Sequence, residues 1–301
     1  MDDRRYKSPS VTKIRLRIIY RIGRDKTLSQ ISKKNYLKRE VCPVVDQILS
    51  KPCKLHVIAV YYGRSNLNSL WLRLQQKFLS YTTKNYRFSV YLNGCHKSLF
   101  TDIDILGVAP NDIPHGNGNH LYCLKEIIKL VDQNDDTYLI LDSDCFPIQQ
   151  GWQSLLLNVM SRNGYQVAAP VRAENLDLFP HPCAMFITNK GMKTLEMIPS
   201  NKHHYNTNLM GVALQEPTCN HLAFPLLRSN QVNIHPVGAA IYYNMFYHHG
   251  GGSRHPAFYR YRQYLPTAKC FEETLEWKSA LEHLDSDPLA YITKLNGVGV
   301  F

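Results

Sequence analysis

Between residues 55 and 159, short apolar runs alternate with helix-period stripes, and this alternation narrows the fold more than any other feature. Leu55-His-Val-Ile-Ala-Val60 is apolar almost throughout and ends at Tyr61-Tyr62-Gly63-Arg64. That is the pattern of a strand buried on both faces and running into a loop. Leu67, Leu70, Leu74 and Phe78 follow at spacings of three and four, one face of a helix. Phe88 to Leu92 reads as a second strand closed by Asn93-Gly94, and a loop rich in Gly, Asn and His runs from Pro114 to His120. Leu121, Leu124, Ile128 and Val131 mark the next helix, Thr137 to Leu141 the third strand, and Trp152, Leu155, Leu156 and Val159 a further helix. Strand and helix in strict alternation predict an α/β fold built on an open sheet with parallel pairs. Ligands of such sheets bind beyond the carboxyl ends of the strands. That directs attention to Tyr61–Asn66, to Asn93 and to whatever follows Leu141.

The later chain is broken by prolines. Ala184–Thr188 and Ala240–Tyr247 read as further strands, and Glu272–Leu284 as a helix stopped before Pro288. Formal net charge is +11 over 301 residues, but residues 1–40 alone carry +9, so a nearly neutral body follows a basic arm. Within the arm, Ile14, Ile18 and Ile22 recur every four residues, as do Lys13, Arg17 and Arg21. This spacing fits a basic amphipathic helix and an expected peripheral contact with an anionic membrane surface through residues 11–24. The stretch from Lys13 also alternates like a strand. No apolar run approaches the roughly 18 residues of a membrane span. The first ten residues have no apolar core, so they do not read as a secretory signal. The eight cysteines include no Cys-x-x-Cys pair. They are expected to be reduced thiols of a cytoplasmic protein.

Three Asp-x-Asp patterns occur: Asp102/Asp104, Asp142/Asp144 and Asp285/Asp287. Only Asp142-Ser143-Asp144 stands directly at the carboxyl end of a buried strand and is followed by a turn-like Cys-Phe-Pro. Two carboxylates so placed repel unless a cation neutralises them. A hard divalent ion does so, and it keeps waters and binds phosphates. A second cluster, Tyr247-His248-His249-Gly250-Gly251-Gly252-Ser253-Arg254, follows an aromatic strand-like run. Adjacent histidines point in different directions, so one can face a site while the other packs. The glycines, Gly251 among them, let backbone N–H groups approach an anion, and Arg254 adds a fixed positive charge of bidentate reach. One His, two carboxylates and a diphosphate make a plausible octahedral shell.

With these pieces in place, residues 55 to about 254 resemble a glycosyltransferase of the GT-A type. The carrying segments are LHVIAVYYGR, HGNGNHLYCLKEII, YLILDSDCFPI, HPCAMFITNKGMKTL and YHHGGGSR. The resemblance implies a single GT-A-like (Rossmann-like) open mixed sheet flanked by helices, with residues 45–255 as the catalytic domain. Residues 1–44 would be the basic N-terminal arm, and residues 256–301 a short C-terminal helical extension packed on the domain. It implies that Asp144 coordinates Mn²⁺ or Mg²⁺ on a nucleoside-diphosphate sugar, and that Asp142 meets the ribose or a metal-bound water. His248 would complete the metal shell, with His249 as the competing choice, and Arg254 would hold a phosphate beside Gly251 and Ser253. Tyr61, Arg64 and Asn66 would line the base and ribose, with Asn93, Asn117, His120 and Ser143 also on the nucleotide sugar.

The implied reaction is sugar transfer to a glycan, lipid or protein acceptor. An inverting enzyme needs a carboxylate base. The stretch Tyr205-Asn-Thr-Asn208 supplies none, and Glu174, Asp177 and Glu216 read as surface carboxylates, so the stereochemical outcome stays open. Two other readings compete. A haloacid-dehalogenase-like phosphatase also places Asp-x-Asp at a strand end, but nearer the start of its domain. A nucleic-acid-binding protein led by the basic arm is the other. The nearly neutral body shows no basic and aromatic stripe to extend that contact, so no specific nucleic acid is expected.

Overall fold

The computed structural model describes residues 53–63, 67–110, 117–131, 134–171, 182–196, 226–234, 239–242, 244–249 and 275–296. By its contacts the chain divides after Lys51, and all described residues lie in the second unit, Pro52–Phe301. β1 (Leu55–Tyr62) follows from its own composition: seven of its eight residues are buried, so both faces must be covered. α1 (Asn68–Thr82) leads to β2 (Tyr86–Asn93), and a short 3₁₀ turn leads to β3 (Asp104–Val108). Then come α2 (Asn117–Leu130), β4 (Thr137–Asp142), β5 (Cys145–Pro147), α3 (Trp152–Asn163), β6 (Val167–Val171), β7 (Ala184–Thr188) and α4 (Asn189–Glu196). β8 (Leu226–Ile234), β9 (Ala239–Tyr242), β10 (Phe246–His248), α5 (Leu275–Ser286) and α6 (Pro288–Asn296) complete the described elements.

The described strands join in the order β3-β2-β1-β4-β7-β6-β8-β9-β10-β5. The segment β3-β2-β1-β4 is parallel, β7 runs antiparallel against β4 and β6, β8 pairs parallel with β6, and the pairs β8–β9, β9–β10 and β10–β5 are antiparallel. The open mixed sheet flanked by helices expected from the sequence is thus the architecture found. Alternation along the strands sorts the core into two layers. Val57, Ala59 and Tyr61 of β1 and Leu139 and Leu141 of β4 face α1 and α3, meeting Trp71, Phe78, Trp152 and Leu156. Ile58, Val60, Tyr138 and Ile140 face the other way, onto Leu124, Ile127 and Ile128 of α2 and Met192 of α4. Leu284 of α5 and Ile292 of α6 join the first layer.

Three local expectations are corrected. The single strand read at Ala240–Tyr247 is a hairpin, β9 and β10. Met245 N–H donates to Tyr242 O at 2.9 Å, and Asn244 sits between them at φ 57°. Asparagine tolerates that left-handed conformation, so the run folds back rather than continuing. Pro288 does not merely stop α5 but opens α6, where a missing N–H costs nothing. The Asp287 carboxylate caps it, accepting from Ala290 N–H at 3.1 Å. Finally, α2 begins at Asn117, so Asn117 and His120 stand in its first turn rather than in a loop. None of the five described cysteines, Cys53, Cys95, Cys123, Cys145 and Cys183, is in a disulfide. No described helix is long and apolar enough to cross a membrane.

One buried polar network lies on the β2 side of β1. His56 Nε2 and Ser89 Oγ are 2.8 Å apart, and the Ser89 hydroxyl donates to Asp104 Oδ2 at 2.6 Å. The hydroxyl oxygen therefore accepts from His56 Nε2–H, which leaves Nδ1 bare and 3.9 Å from Asp135 Oδ2. Burial, helped by the Arg87 guanidinium and opposed by Asp135 and Asp104, drives the His56 pKa from 6.5 to about 4. Between those values the unfolded chain binds a proton the folded chain refuses, so stability falls as pH drops through that window. The shift corresponds to about 3 kcal/mol. His56→Gln keeps an ε-nitrogen donor but cannot titrate. Urea melts at pH 7, 5.5 and 4 are therefore expected to show a flatter acid loss than wild type, and an unchanged slope would remove His56 as its source.

Candidate metal centre and its surroundings

Chain order explains where the site forms. β1 is followed on one side by β2 and β3, and the chain then crosses to place β4 on the other side. The order reverses between β1 and β4, which opens a crevice at their carboxyl ends. Asp142 is the last residue of β4 and is paired in register with Val60 of β1. β5 leaves immediately afterwards and pairs antiparallel with β10, setting Cys145 opposite His248. His249 N–H then donates to Asp144 O at 3.0 Å. Strand pairing thus brings together residues about a hundred positions apart.

Ligand atoms of Asp142, Asp144 and His248 all lie within 4.8 Å of one another, and this is the group of metal-ligating side chains found among the described residues. His248 Nε2 is 3.6 Å from Asp144 Oδ1 and 4.0 Å from Asp142 Oδ2. An octahedral ion with bonds near 2.1 Å holds its donors about 3 Å (adjacent) to 4.2 Å (opposite) apart. The observed separations fall inside that span. The donor set, two carboxylate oxygens and an imidazole nitrogen, suits a borderline-hard divalent ion such as Mn²⁺ or Mg²⁺. Asp144 and His248 are buried, whereas Asp142 keeps 23% of its side chain exposed, so the group opens to solvent on that side. Between the carboxylates, Ser143 is buried and its Oγ has no hydrogen-bond partner. An orphaned hydroxyl inside such a group fits a site built to receive something.

The imidazoles are sorted by their other nitrogens. His248 Nδ1 lies 3.4 Å from the Tyr242 hydroxyl. With the proton on Nδ1, Nε2 is left as the lone-pair donor aimed at the carboxylates, the arrangement that orients metal-ligating histidines. His249 turns the other way. Its Nδ1 is 2.8 Å from the Tyr247 hydroxyl and its ring lies 5.1 Å from Trp71. Burial, and then the neighbouring His248, lower its pKa to about 3, so it sits in the core as a neutral ring.

Other sequence candidates are placed as follows. Tyr61 is fully buried, with its ring edge-on to Phe100 at 4.8 Å, so its side chain belongs to the core rather than to an open nucleotide surface. Asn93 ends β2, and its carbonyl accepts from Gly63 N–H at 2.8 Å, closing the loops after β1 and β2 against each other. Arg64, Asn66, Gly251, Ser253 and Arg254 lie outside the described residues, as do Glu174, Asp177 and Glu216; Asn117 and His120 are described in backbone only. The two other Asp-x-Asp pairs have structural work. Asp104 accepts from Ser89, Asp285 pairs with Arg73, and Asp287 caps α6.

Sequence reasoning missed Gln75. It is buried on α1, and its Nε2 donates to the carbonyls of Asp142 and Cys145, both at 2.9 Å. Its Oε1 accepts from the Tyr61 hydroxyl at 2.8 Å. The available signal was a polar residue in line with Trp71 and Phe78 on the buried face.

No protein-family model and no curated protein matches this sequence. Solved structures do. The galactosyltransferase LgtC in complex with donor and acceptor sugar analogs overlaps 45% of this chain and 58% of its own, at 12% identity and a TM-score of 0.32. The apo-form glycosyltransferase GlyE of Streptococcus pneumoniae overlaps 57% of this chain and 45% of its own, at 14% identity and TM-score 0.38. The apo bifunctional glycosyltransferase WbbM overlaps 49% and 35%, at 12% identity and TM-score 0.32. The chain thus spans roughly a third to three-fifths of these structures. What the centre can do follows from its own residues.

Proposed function

We propose that the protein is a metal-dependent glycosyltransferase that moves a sugar from a nucleoside-diphosphate sugar to a glycan, lipid or protein acceptor. The observation that carries this reading is the Asp142–Asp144–His248 group at the carboxyl end of β4. In this reading Asp144, His248 and Asp142 would hold Mn²⁺ or Mg²⁺, and the chemistry such an ion supplies is neutralisation of charge on the departing diphosphate. Tyr242 keeps the His248 lone pair directed inward, and the partly exposed Asp142 is the side from which a donor would approach. Arg254, from the Gly-rich segment after His249, would add a fixed positive charge for a phosphate. The phosphatase reading is not favoured, because the later pair it could use, Asp285 and Asp287, is committed to Arg73 and to the first turn of α6. The nucleic-acid reading is not favoured either, since the arm alone would supply only nonspecific attraction to phosphate.

A thermal-shift panel of UDP, GDP, CMP and their sugars, each with Mn²⁺, Mg²⁺ or EDTA, tests the proposal. A ligand at about 100 times its Kd stabilises by about 2.7 kcal/mol. One nucleotide is expected to raise Tm by several degrees only when metal is present, and that nucleotide names the donor base. No shift under any metal condition would overturn the reading. The basic arm, residues 1–44, is proposed to hold the enzyme peripherally on the cytosolic face of a membrane, with its concentrated positive charge as support. Unaltered binding to anionic vesicles after removal of residues 1–44 would exclude that role.

A further inference from the structure

We propose that Gln75 is the positioning residue of the metal centre: its amide pins both ends of the Asp142–Cys145 turn and so sets how closely the carboxylates converge. The inference rests on the reading of Asp142, Asp144 and His248 as metal ligands. The two carbonyls that Gln75 bonds, those of Asp142 and Cys145, flank Ser143 and Asp144 on either side. The carbonyl of Asp144 is held separately by His249 N–H, and the His249 ring lies against Trp71, one turn before Gln75 on the same helix. One further turn along, Phe78 stacks on Phe146 of β5 at 4.7 Å. A single face of α1 therefore grips the turn at its start, its middle and its exit.

The position calls for a primary amide. Two carbonyl acceptors require two N–H donors from one group, and a primary amide has them. Its orientation is fixed from the other side, because the Tyr61 hydroxyl donates to Oε1. Turned over, the amide would set Oε1 against two carbonyl oxygens. An apolar side chain of equal size would fill the space but take both of these N–H donors away from the turn, and the turn would relax. The loss should therefore appear in metal affinity, as it does when the groups that orient metal ligands are removed.

The experiment is a Mn²⁺ titration of the full chain followed by electron paramagnetic resonance, without nucleotide, on the wild type and on Gln75→Met, Tyr61→Phe, Asp144→Asn and Ser89→Ala. Gln75→Met is expected to raise the Mn²⁺ Kd by about 10-fold to 100-fold. Tyr61→Phe keeps the donors and loses the group that orients them, and it should raise the Kd about fivefold. Ser89→Ala breaks a buried network on the other side of β1, lowering Tm while leaving Mn²⁺ affinity unchanged. That separates positioning from general destabilisation. Gln75→Met binding Mn²⁺ within twofold of wild type, while Asp144→Asn does not bind, would overturn the role of Gln75 and leave the metal reading standing. If Gln75→Met fails to fold, Tyr61→Phe decides: a wild-type Kd overturns the proposal. A wild type that binds no Mn²⁺ brings down both the metal reading and the inference.

Discussion

Asp144→Asn is expected to lower sugar transfer by about 10³-fold and to abolish the Tm increase given by Mn²⁺ with the donor nucleotide. Charge neutralisation by a bound ion is worth several kcal/mol in such reactions, and each 1.36 kcal/mol is tenfold in rate. Asp144 is the buried carboxylate of the pair, and His248 Nε2 is nearer to it than to Asp142. It is therefore the ligand whose loss leaves the fewest substitutes, since water reaches Asp142 more easily. Asparagine preserves size and removes a charge from beside another carboxylate, so the EDTA-treated variant should melt within a few degrees of wild type. The distinguishing readout is the difference between Tm with Mn²⁺ and Tm with EDTA, measured at saturating nucleotide. A variant that keeps that difference, or keeps transfer within tenfold of wild type, removes Asp144 from the centre.

The central parallel strands were legible because their burial leaves a sequence signature: Leu55–Val60 and Thr137–Leu141 are apolar on both faces, and the intervening stripes fix helices. The Asp142–Asp144 pair was legible because it stands where such a strand ends. What escaped has physical reasons. β5 has three residues, and β3 carries Asp104 and Gly107 with none of its residues fully buried, so neither shows a period. β8 reads Leu-Leu-Arg-Ser-Asn-Gln-Val-Asn-Ile, without the alternation of a half-buried strand. The hairpin of β9 and β10 turns on the backbone of Asn244, which an aromatic run conceals. Gln75 was hidden because a polar residue on an apolar helix face reads as tolerance; only the partners across the layer, two carbonyls and a tyrosine hydroxyl, show why an amide stands there. Pro288 was read as a terminator, although proline is equally at home as the first residue of a helix, and the Asp287 cap before it was the missed sign.

The choice between the adjacent histidines depends on the same kind of long-range information, and it sets up the second large effect. Pairing of Cys145 with His248 fixes the register of β10, and because consecutive strand residues face opposite ways, His248 turns to the carboxylates while His249 turns to Trp71 and Tyr247. Two alanine substitutions one residue apart should therefore fail differently. His248→Ala removes a ligand and is expected to raise the Mn²⁺ Kd about 100-fold or more, a loss at least as large as removing a group that merely orients a ligand. The His248 ring is buried as well, so stability in EDTA should also fall, and the Mn²⁺ Kd is the readout that separates the two variants. His249→Ala removes a fully buried ring and leaves a cavity beneath Trp71, at a cost of about 3 kcal/mol of folding free energy. Its backbone N–H still donates to Asp144 O, so Mn²⁺ affinity should stay within tenfold. Urea unfolding in EDTA and Mn²⁺ titration, run on both variants, give the two numbers. If His249→Ala loses the metal and His248→Ala retains it, the register between β5 and β10 is shifted by one residue, and the donor set must be redrawn around His249.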